Sequence, residues 1–586
     1  MDDYKVRLAI PDSDLAALSA CATDPEALAS WVAALPMANT IEAAKQLHRT
    51  IGEVARLATD AQTRFVFLES LRPPAHYICA RLDRSALGSQ HAGEGLAQLS
   101  QSLQQDLVIG YKAAVRDAVA ELNPDSDGEL LAEALHRAIS DLSRMLLRAC
   151  QFYTPAPRLA WLELNQMVAL AERATVLDKR FTDDENHGAK ALSVRDAYLR
   201  VAMLATARPN QLRHRHLNAV FNAIELWCPR LSMGTPGEDT LFVVDLARDR
   251  PPRYRGLGGA DGDLRGIRTD VLVYELEAYL NEIATDVAVP EYVDSDLLRH
   301  LVHAWGVMKR RSFRRRPAEG PMKVCVGLRT VHYYISGGVE FAEQLGSTDA
   351  LLKREINPFL DATAPERARD DVWDHALHGA RIPENPNIED PSRILLGRRK
   401  SREDMDLKYA CHDVEIVDTS PGGYCLRWRS TLPGQLQPGE VLAIREAEDK
   451  RWCIAVARWI THGDHETLVG VELLAPRAIA VALRIVQKRG SPADHSRALL
   501  LPALEAIGQP AMLITSRVPF HEGQKVLIQR QRIQAKAQLM RRVRITESFI
   551  QFTFRMLDGY LENAQLDLNM DVLWETIHDD ESEPSR

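Results

Sequence analysis

Residues 414–428 have the sequence VEIVDTSPGGYCLRW, in which two runs of alternating apolar and polar residues flank a polar turn. Alternation with a period of two residues is typical of a β-strand that buries one face, and the Pro-Gly-Gly of residues 421–423 favours a tight turn. The stretch therefore predicts a strand, a turn and a second strand. The turn carries three candidate binding residues, Asp418, Ser420 and Gly423.

The most basic run of the chain lies about a hundred residues earlier, where residues 309–316 read KRRSFRRR. The whole chain has a net charge of −9, so this run stands out against an acidic background. Arginine suits a phosphodiester because its planar guanidinium donates two parallel hydrogen bonds and also stacks on a purine ring. A nearby carboxylate, Asp418, accepts hydrogen bonds from the N–H donors of a guanine edge. We therefore predict that the run and the turn meet and bind an anionic ligand that contains guanine.

Two arginines spaced as Arg-x-x-x-Arg before a first strand, followed by Asp/Asn-x-Ser-x-x-Gly at a strand–turn–strand, resemble the PilZ domain. This domain is a six-stranded antiparallel β-barrel that binds cyclic di-GMP. The segments ARW at residues 457–459 and VGVELL at residues 469–474 are similar to the closing strands of that family. The resemblance covers about residues 309–335 and 405–485.

The resemblance assigns roles to residues of this chain. It implies that Arg311 and Arg315 contact the phosphates of the ligand and stack on guanine. It also implies that Asp418, Ser420 and Gly423 hold the guanine edge. The ligand that the resemblance implies is cyclic di-GMP, and no other cofactor and no metal is expected.

The arginine pair lies much farther from the turn than is usual in the family. An insertion within the first hairpin would explain the separation. We prefer Arg311 and Arg315 because Phe313 lies at the aromatic position of the motif and a strand pattern follows. Two other pairs have the same spacing and remain alternatives: Arg310 with Arg314, and Arg398 with Arg402.

The remaining sequence predicts an α+β multidomain protein, with an N-terminal all-α helical array followed by the PilZ-like antiparallel β-barrel and a further small β domain. Residues 20–230 are rich in Ala and Leu, with apolar residues spaced by three and four, and helix caps are expected at Asp24 and Asn39. We place the domains as follows: a helical domain at 1–235, a mixed connecting region at 236–308, the barrel at 309–485 with an insertion at about 336–397, a second small β domain at 486–560, and an acidic C-terminal tail at 561–586 that we expect to be disordered.

Individual elements follow from the same patterns. One long helix is expected at 157–182, and residues 322–334 read as one strand, or as two strands across Gly327. Thr240–Leu246 is a strand candidate, and the glycine-rich residues 256–262 lack the motif of a phosphate-binding loop. Further strands are expected at 409–417, 424–430, 440–445, 452–461, 467–474, 511–516, 525–529, 536–544 and 549–555.

Composition limits the class of protein. Eight cysteines are spread singly without a CxxC pair, no signal-peptide pattern opens the chain, and no apolar run approaches the roughly 20 residues that span a bilayer. A cytoplasmic protein without a membrane span is expected. Neither a Gly-x-Ser-x-Gly nor an HExxH motif is present, so we expect no enzyme. The histidine pairs His375/His378 and His462/His465 lack a third ligand and are interpreted as solvated.

These features predict a bacterial cyclic di-GMP effector that relays the level of the second messenger to an unidentified protein partner through the helical domain. By resemblance, the output is motility, surface attachment or biofilm formation. The alternative is a nucleotide-independent helical scaffold that carries a degenerate PilZ-type barrel. The acidic net charge disfavours nucleic acid as a partner, and a homodimer remains open.

Overall fold

The computed structural model of the chain describes residues 8–88, 93–122, 127–185, 191–255, 262–306, 315–345, 408–446, 451–463, 466–486, 494–503, 509–530 and 533–557. The chain forms two compact units, one from residues 1–312 with 461–464 and one from residues 313–460 with 465–586. Among the described residues, no helix combines the length and the apolar character that crossing a bilayer requires.

The helices of the first unit are α1 (Pro25–Ala33), α2 (Thr40–Arg56), α3 (Ala61–Gly88), α4 (Gly93–Glu121), α5 (Glu129–Gln151), α6 (Ala160–Arg173), α7 (Val194–Thr206), α8 (His214–Trp227), α9 (Asp270–Leu280) and α10 (Ser295–Gly306). Its strands are β1 (Arg180–Thr182), β2 (Ala191–Ser193), β3 (Ser232–Gly234), β4 (Phe242–Asp245), β5 (Arg253–Tyr254) and β6 (Leu264–Arg268). The predicted helical array is confirmed, with a small two-stranded and a small four-stranded sheet added to it.

The two predicted helix caps are confirmed. Asp24 accepts a hydrogen bond from the Ala27 N–H at 2.8 Å, and Asn39 accepts one from the Glu42 N–H at 3.2 Å. Each side chain satisfies a backbone donor that the first turn of a helix leaves free. The strand candidate Thr240–Leu246 is also confirmed, since β4 pairs with β5 and β6 in the order β3-β6-β4-β5.

The predicted long helix at 157–182 is wrong at both ends. α6 covers only Ala160–Arg173, and β1 pairs with β2 where the helix was expected to continue. Leu159 and Thr175, just outside the two ends, have positive φ angles of 67° and 56°. A helix cannot continue through a residue in the left-handed region, and this local backbone choice leaves no mark in the apolar spacing.

A buried ionic cluster joins three elements of the first unit. Arg72 on α3 donates to Asp141 on α5 at 2.9 Å and to Asp183, beyond β1, at 2.7 Å. The side chains of Arg72 and Asp141 are 4% and 0% exposed. Burial alone would raise the pKa of Asp141, but the charges of Arg72 and His76 outweigh burial, so this pKa lies below its ordinary value. Asp141 is therefore an ionised partner inside the helical core.

Asp141→Ala should lower the free energy of unfolding by about 3–5 kcal/mol, because it leaves the buried Arg72 without one of its carboxylates. Since the pKa of Asp141 is depressed, its contribution is present above about pH 4, the ordinary value of an aspartate, and is lost as the pH falls through the folded-state value. Urea unfolding followed by circular dichroism should show the difference from the unsubstituted chain shrinking as the solution is acidified. Asp296→Ala, which removes a surface pair with Arg299, is the control and should cost at most about 1 kcal/mol.

The second unit contains two closed six-stranded antiparallel barrels. The strands of the first barrel are β7 (Arg316–Val326), β8 (Cys411–Ser420), β9 (Gly423–Trp428), β10 (Val441–Glu446), β11 (Cys453–His462) and β12 (Thr467–Ala475). Those of the second are β13 (Ile479–Ile485), β14 (Ser496–Leu501), β15 (Met512–Ser516), β16 (Lys525–Arg530), β17 (Ile533–Ile545) and β18 (Phe549–Met556). The predicted fold class is confirmed. β13 falls inside the range predicted for the first barrel, yet it pairs with β14 and β16 of the second.

Residues 328–335 form a helix, so the strand predicted across 322–334 is wrong beyond Val326. Two short helices follow β7, α11 (Leu328–Ile335) and α12 (Phe341–Gln344). Gly327 has a φ of 84°, a conformation suited to glycine, and it turns the chain from the strand into α11. The β-branched and aromatic residues of this stretch favour a strand locally, but packing overrides that preference.

Helix α11 packs against both barrels. Val331 on this helix is fully buried in one apolar cluster with Val441 and Ile454 of the first barrel and Leu499 and Phe549 of the second. The two barrels therefore share a core in the second unit, and the helix that the sequence pattern missed fills the space between them.

Candidate functional site

Antiparallel pairing of β7 with β8 brings Arg315 and Arg316, the described end of the basic run, next to the turn. Arg316 lies opposite Thr419, and Pro317 lies opposite Asp418. The residue before β7, Arg315, is thereby placed beside the turn although a hundred residues separate them in the chain. The predicted insertion at about 336–397 lies between these two strands, and most of it, residues 346–397, lies outside the described residues.

Arg315 and Asp418 form an ion pair at this junction. The Arg315 Nη1 donates to Asp418 Oδ2 at 3.1 Å, and the two side chains are 33% and 23% exposed. Asp418 Oδ1 is buried and has no hydrogen-bond partner within the part of the chain that the structure describes. A buried carboxylate oxygen without a donor is costly, so a ligand N–H that reached it would be bound favourably.

Trp459 on β11 completes the site on a third strand. The Arg315 guanidinium carbon lies 5.8 Å from the centroid of the Trp459 ring, within the range of a cation–π contact. Gly470 on β12 makes room for this ring, because a Cβ at Gly470 would lie 2.0 Å from the indole Nε1. From the sequence, Trp459 was expected in a closing strand of the barrel but was not predicted as a site residue. Its proximity to Arg315 depends on barrel closure.

Ser420 and Gly423 close the hairpin. They face each other in the β8–β9 register, and the Ser420 hydroxyl donates to the Gly423 carbonyl at 3.3 Å. Gly423 has a φ of 151°, and a Cβ there would lie 2.0 Å from the carbonyl oxygen of Val471 on β12. The missing side chain thus has a structural reason, the close approach of β12. A role of Ser420 or Gly423 in holding a guanine edge stays a prediction.

Two further side chains, the charged Glu472 and the neutral Cys425, lie next to the turn. Glu472, opposite Gly423 on β12, accepts from Arg458 at 3.2 Å and from Arg544 of the second barrel at 2.6 Å. The Cys425 thiol, opposite Asp418, has a pKa raised by burial and adds no charge at neutral pH. The sequence offered no signal for the arginine from the second barrel, because only the packing of the two barrels brings it here.

The remaining predicted arginines fall outside the described residues. These are Arg310, Arg311 and Arg314 of the basic run and the alternative pair Arg398 and Arg402. Of the three candidate pairs, the structure therefore places one member, Arg315, and this residue contacts the turn.

A closed six-stranded antiparallel barrel with an arginine before its first strand and Asp-x-Ser-x-x-Gly at the next turn defines a PilZ domain. Comparison with family models agrees. The model described as the middle PilZ domain of the cyclic-di-GMP receptor FimW matches residues 241–479, the FimW N-terminal domain matches 26–237, and the FimW C-terminal β-barrel domain matches 481–557.

The chain belongs to the FimW family. It is similar to the cyclic-di-GMP receptor FimW of Pseudomonas aeruginosa, with 34% identity over 570 residues that cover 94% of this chain and 93% of the relative. No solved structure matches the chain.

Gly423→Ala should destabilise the first barrel, because the added Cβ meets the Val471 carbonyl and the backbone cannot move aside. The expected loss in the free energy of unfolding is about 2–4 kcal/mol, measured by urea unfolding. Gly320→Ala is the matched control, since Gly320 has a similar φ of 157° on β7 but its nearest atom, Ile416 Cδ1, would lie 4.0 Å away. Equal losses in the two variants would contradict the close approach of β12.

Proposed function

We propose that this chain is a receptor for cyclic di-GMP and binds it at the junction of β7, β8 and β11. One observation carries the proposal: a cationic side chain, Arg315, and a carboxylate with a buried unpartnered oxygen, Asp418, meet beside the indole of Trp459. Simple phosphate binding does not require a carboxylate. A ligand that has both phosphates and guanines matches all three groups. The similarity to a protein named as a cyclic-di-GMP receptor supports the same ligand.

Each group has a role that follows from its chemistry. The Arg315 guanidinium donates to the phosphodiester and stacks on guanine, as the PilZ resemblance implies for the arginine pair. The Asp418 carboxylate accepts from the N–H and amino donors of the guanine edge, and Oδ1 is the oxygen that has no donor in the described structure. Trp459 offers an apolar face to a base or to the guanidinium that stacks on it. Arg311 is proposed as the second phosphate ligand.

The Arg315–Asp418 pair itself stabilises the fold little, because a partly exposed ion pair contributes about 0–1 kcal/mol. A ligand phosphate therefore displaces Asp418 from Arg315 at small cost. The ligand then binds both members of the ion pair: its phosphate contacts Arg315 and its guanine contacts the Asp418 carboxylate.

We further propose that the ligand-bound chain acts as an effector rather than an enzyme. In this proposal, the helical unit engages a protein partner, and the output is motility, surface attachment or biofilm formation. The match of residues 26–237 to the FimW N-terminal domain supports a family-specific role for the helices. The ligand position beside Glu472 and Arg544 offers a route by which binding alters the contact between the two barrels.

Isothermal titration of the full chain with cyclic di-GMP tests this proposal. Arg315→Ala and Asp418→Ala should each weaken binding by about tenfold or more, because a hydrogen bond to a charged group contributes about 1.5–3 kcal/mol. Lys323→Ala and Asp413→Ala are the controls. They remove another ion pair, at 2.8 Å, from the same β7–β8 ladder and should leave the affinity unchanged.

Two results would contradict the proposal. Absence of binding by the unsubstituted chain at micromolar nucleotide would favour the nucleotide-independent scaffold. Unchanged affinity in both Arg315→Ala and Asp418→Ala would place the nucleotide elsewhere. Circular dichroism of the variants shows that a loss of binding is not a loss of folding.

A further inference from the structure

The second barrel is far more basic than the rest of the chain. Residues 481–557 contain thirteen Lys and Arg against four Asp and Glu, a formal charge of +9 within a chain whose net charge is −9. The residues that follow the second barrel carry the opposite formal charge. Residues 558–586 contain nine Asp and Glu against one Arg, a formal charge of −8. A strongly basic domain is therefore joined directly to a strongly acidic segment.

Part of the positive charge of the barrel forms a surface on β16, β17 and β18. Lys525 lies opposite Gln538, and Gln538 lies opposite Arg555. Lys536 is two residues from Gln538 and so shares its side of β17. The intervening Ala537 is buried in the barrel core, which directs Lys536 and Gln538 outward. We call the three exposed cationic side chains Lys525, Lys536 and Arg555 the basic face.

The chain leaves the barrel at this face. The N–H of Leu557, the last described residue, donates to the carbonyl oxygen of Lys536 at 2.8 Å. The described part of the chain therefore ends next to Lys536, and the next residue in the sequence, Asp558, is the first acidic residue of the segment. The linkage keeps the acidic residues close to the basic face, with an effective concentration on the order of millimolar for a short connection.

The surface of the second barrel and the acidic segment also match in apolar character. Met540 and Val543 on β17 are 42% and 45% exposed and flank the exposed Arg541 and Arg542. The acidic segment alternates apolar and acidic or amide residues at 566–572, where the sequence is LDLNMDV. A purely solvated acidic segment needs no such apolar residues, whereas a segment that binds a basic and partly apolar surface uses both kinds.

We propose that the acidic segment 558–586 binds the basic face of the second barrel in the same chain. Opposite charge, covalent linkage and the exit of the chain beside Lys536 all favour this occupant over a separate molecule. The bound segment covers the basic face and competes with any other polyanion for it. Because the attraction is between largely exposed charges, it weakens as salt is added.

Heparin chromatography of the full chain tests the proposal with a charge-matched pair of variants. One variant neutralises four acids of the segment (Asp567→Asn, Asp571→Asn, Asp579→Asn and Asp580→Asn). The other neutralises four exposed acids of the first unit (Glu26→Gln, Glu238→Gln, Asp239→Asn and Glu277→Gln). Both have the same net charge, but only the first frees the basic face, so it should elute from heparin at a higher salt concentration than the second.

Elution of the two variants at the same salt concentration would overturn the proposal, because net charge alone would then explain the retention. Adding Lys525→Gln, Lys536→Gln and Arg555→Gln to the first variant should abolish the gain in retention. A gain that persists would show that the segment covers another surface.

Carbodiimide cross-linking of the unsubstituted chain should join Lys525 or Lys536 to an acid of 558–586 at low salt and not at high salt. Absence of that cross-link at low salt would also contradict the proposal.

Discussion

The candidate site depends on one piece of backbone pairing, the antiparallel ladder between β7 and β8. This ladder fixes Pro317 opposite Asp418, and from that register the position of Arg315 beside the turn follows. A shift of one residue would send each side chain of the strand to the opposite face of the sheet. The long insertion between the two strands adds only a slowly growing entropic cost of loop closure, so it is compatible with a fixed register.

Closure of the barrel then brings β11 and β12 to the site. Trp459 and Gly470 belong to neighbouring strands, and their packing places an aromatic face near Arg315. Gly423 allows β12 to pass close to the turn. Packing of the second barrel brings Arg544 to the same region, where it pairs with Glu472. The candidate site is thus a consequence of strand order. The shared core around α11 holds the second barrel in the position from which Arg544 reaches Glu472.

Much of this architecture could be predicted from local patterns. Period-two alternation located most strands of both barrels, and Asp24 and Asn39 marked the first helices because capping is a local interaction. The contact of the turn at residues 418–423 with Arg315, the described end of the basic run, was also expected from the chemistry of the residues. These predictions succeeded where the determining interaction lies within a few residues along the chain or follows a family pattern.

The helix α11 and the site neighbours were missed because their positions depend on tertiary structure. Residues 328–335 have the composition of a strand but form α11, because packing between two barrels outweighs local preference. Trp459 and Arg544 were missed as site neighbours because their distances to Arg315 and Glu472 arise only on barrel closure and packing. At Gly423, the sequence pattern did not show that the nearest neighbour of the absent Cβ is the backbone of β12.

The most direct test of the central claim is a crystal structure of the full chain with cyclic di-GMP. We expect a guanine N–H donor within hydrogen-bond distance of Asp418 Oδ1 and the Arg315 guanidinium in contact with a phosphate. Nucleotide bound to a surface that includes neither Asp418 nor Arg315 would contradict it.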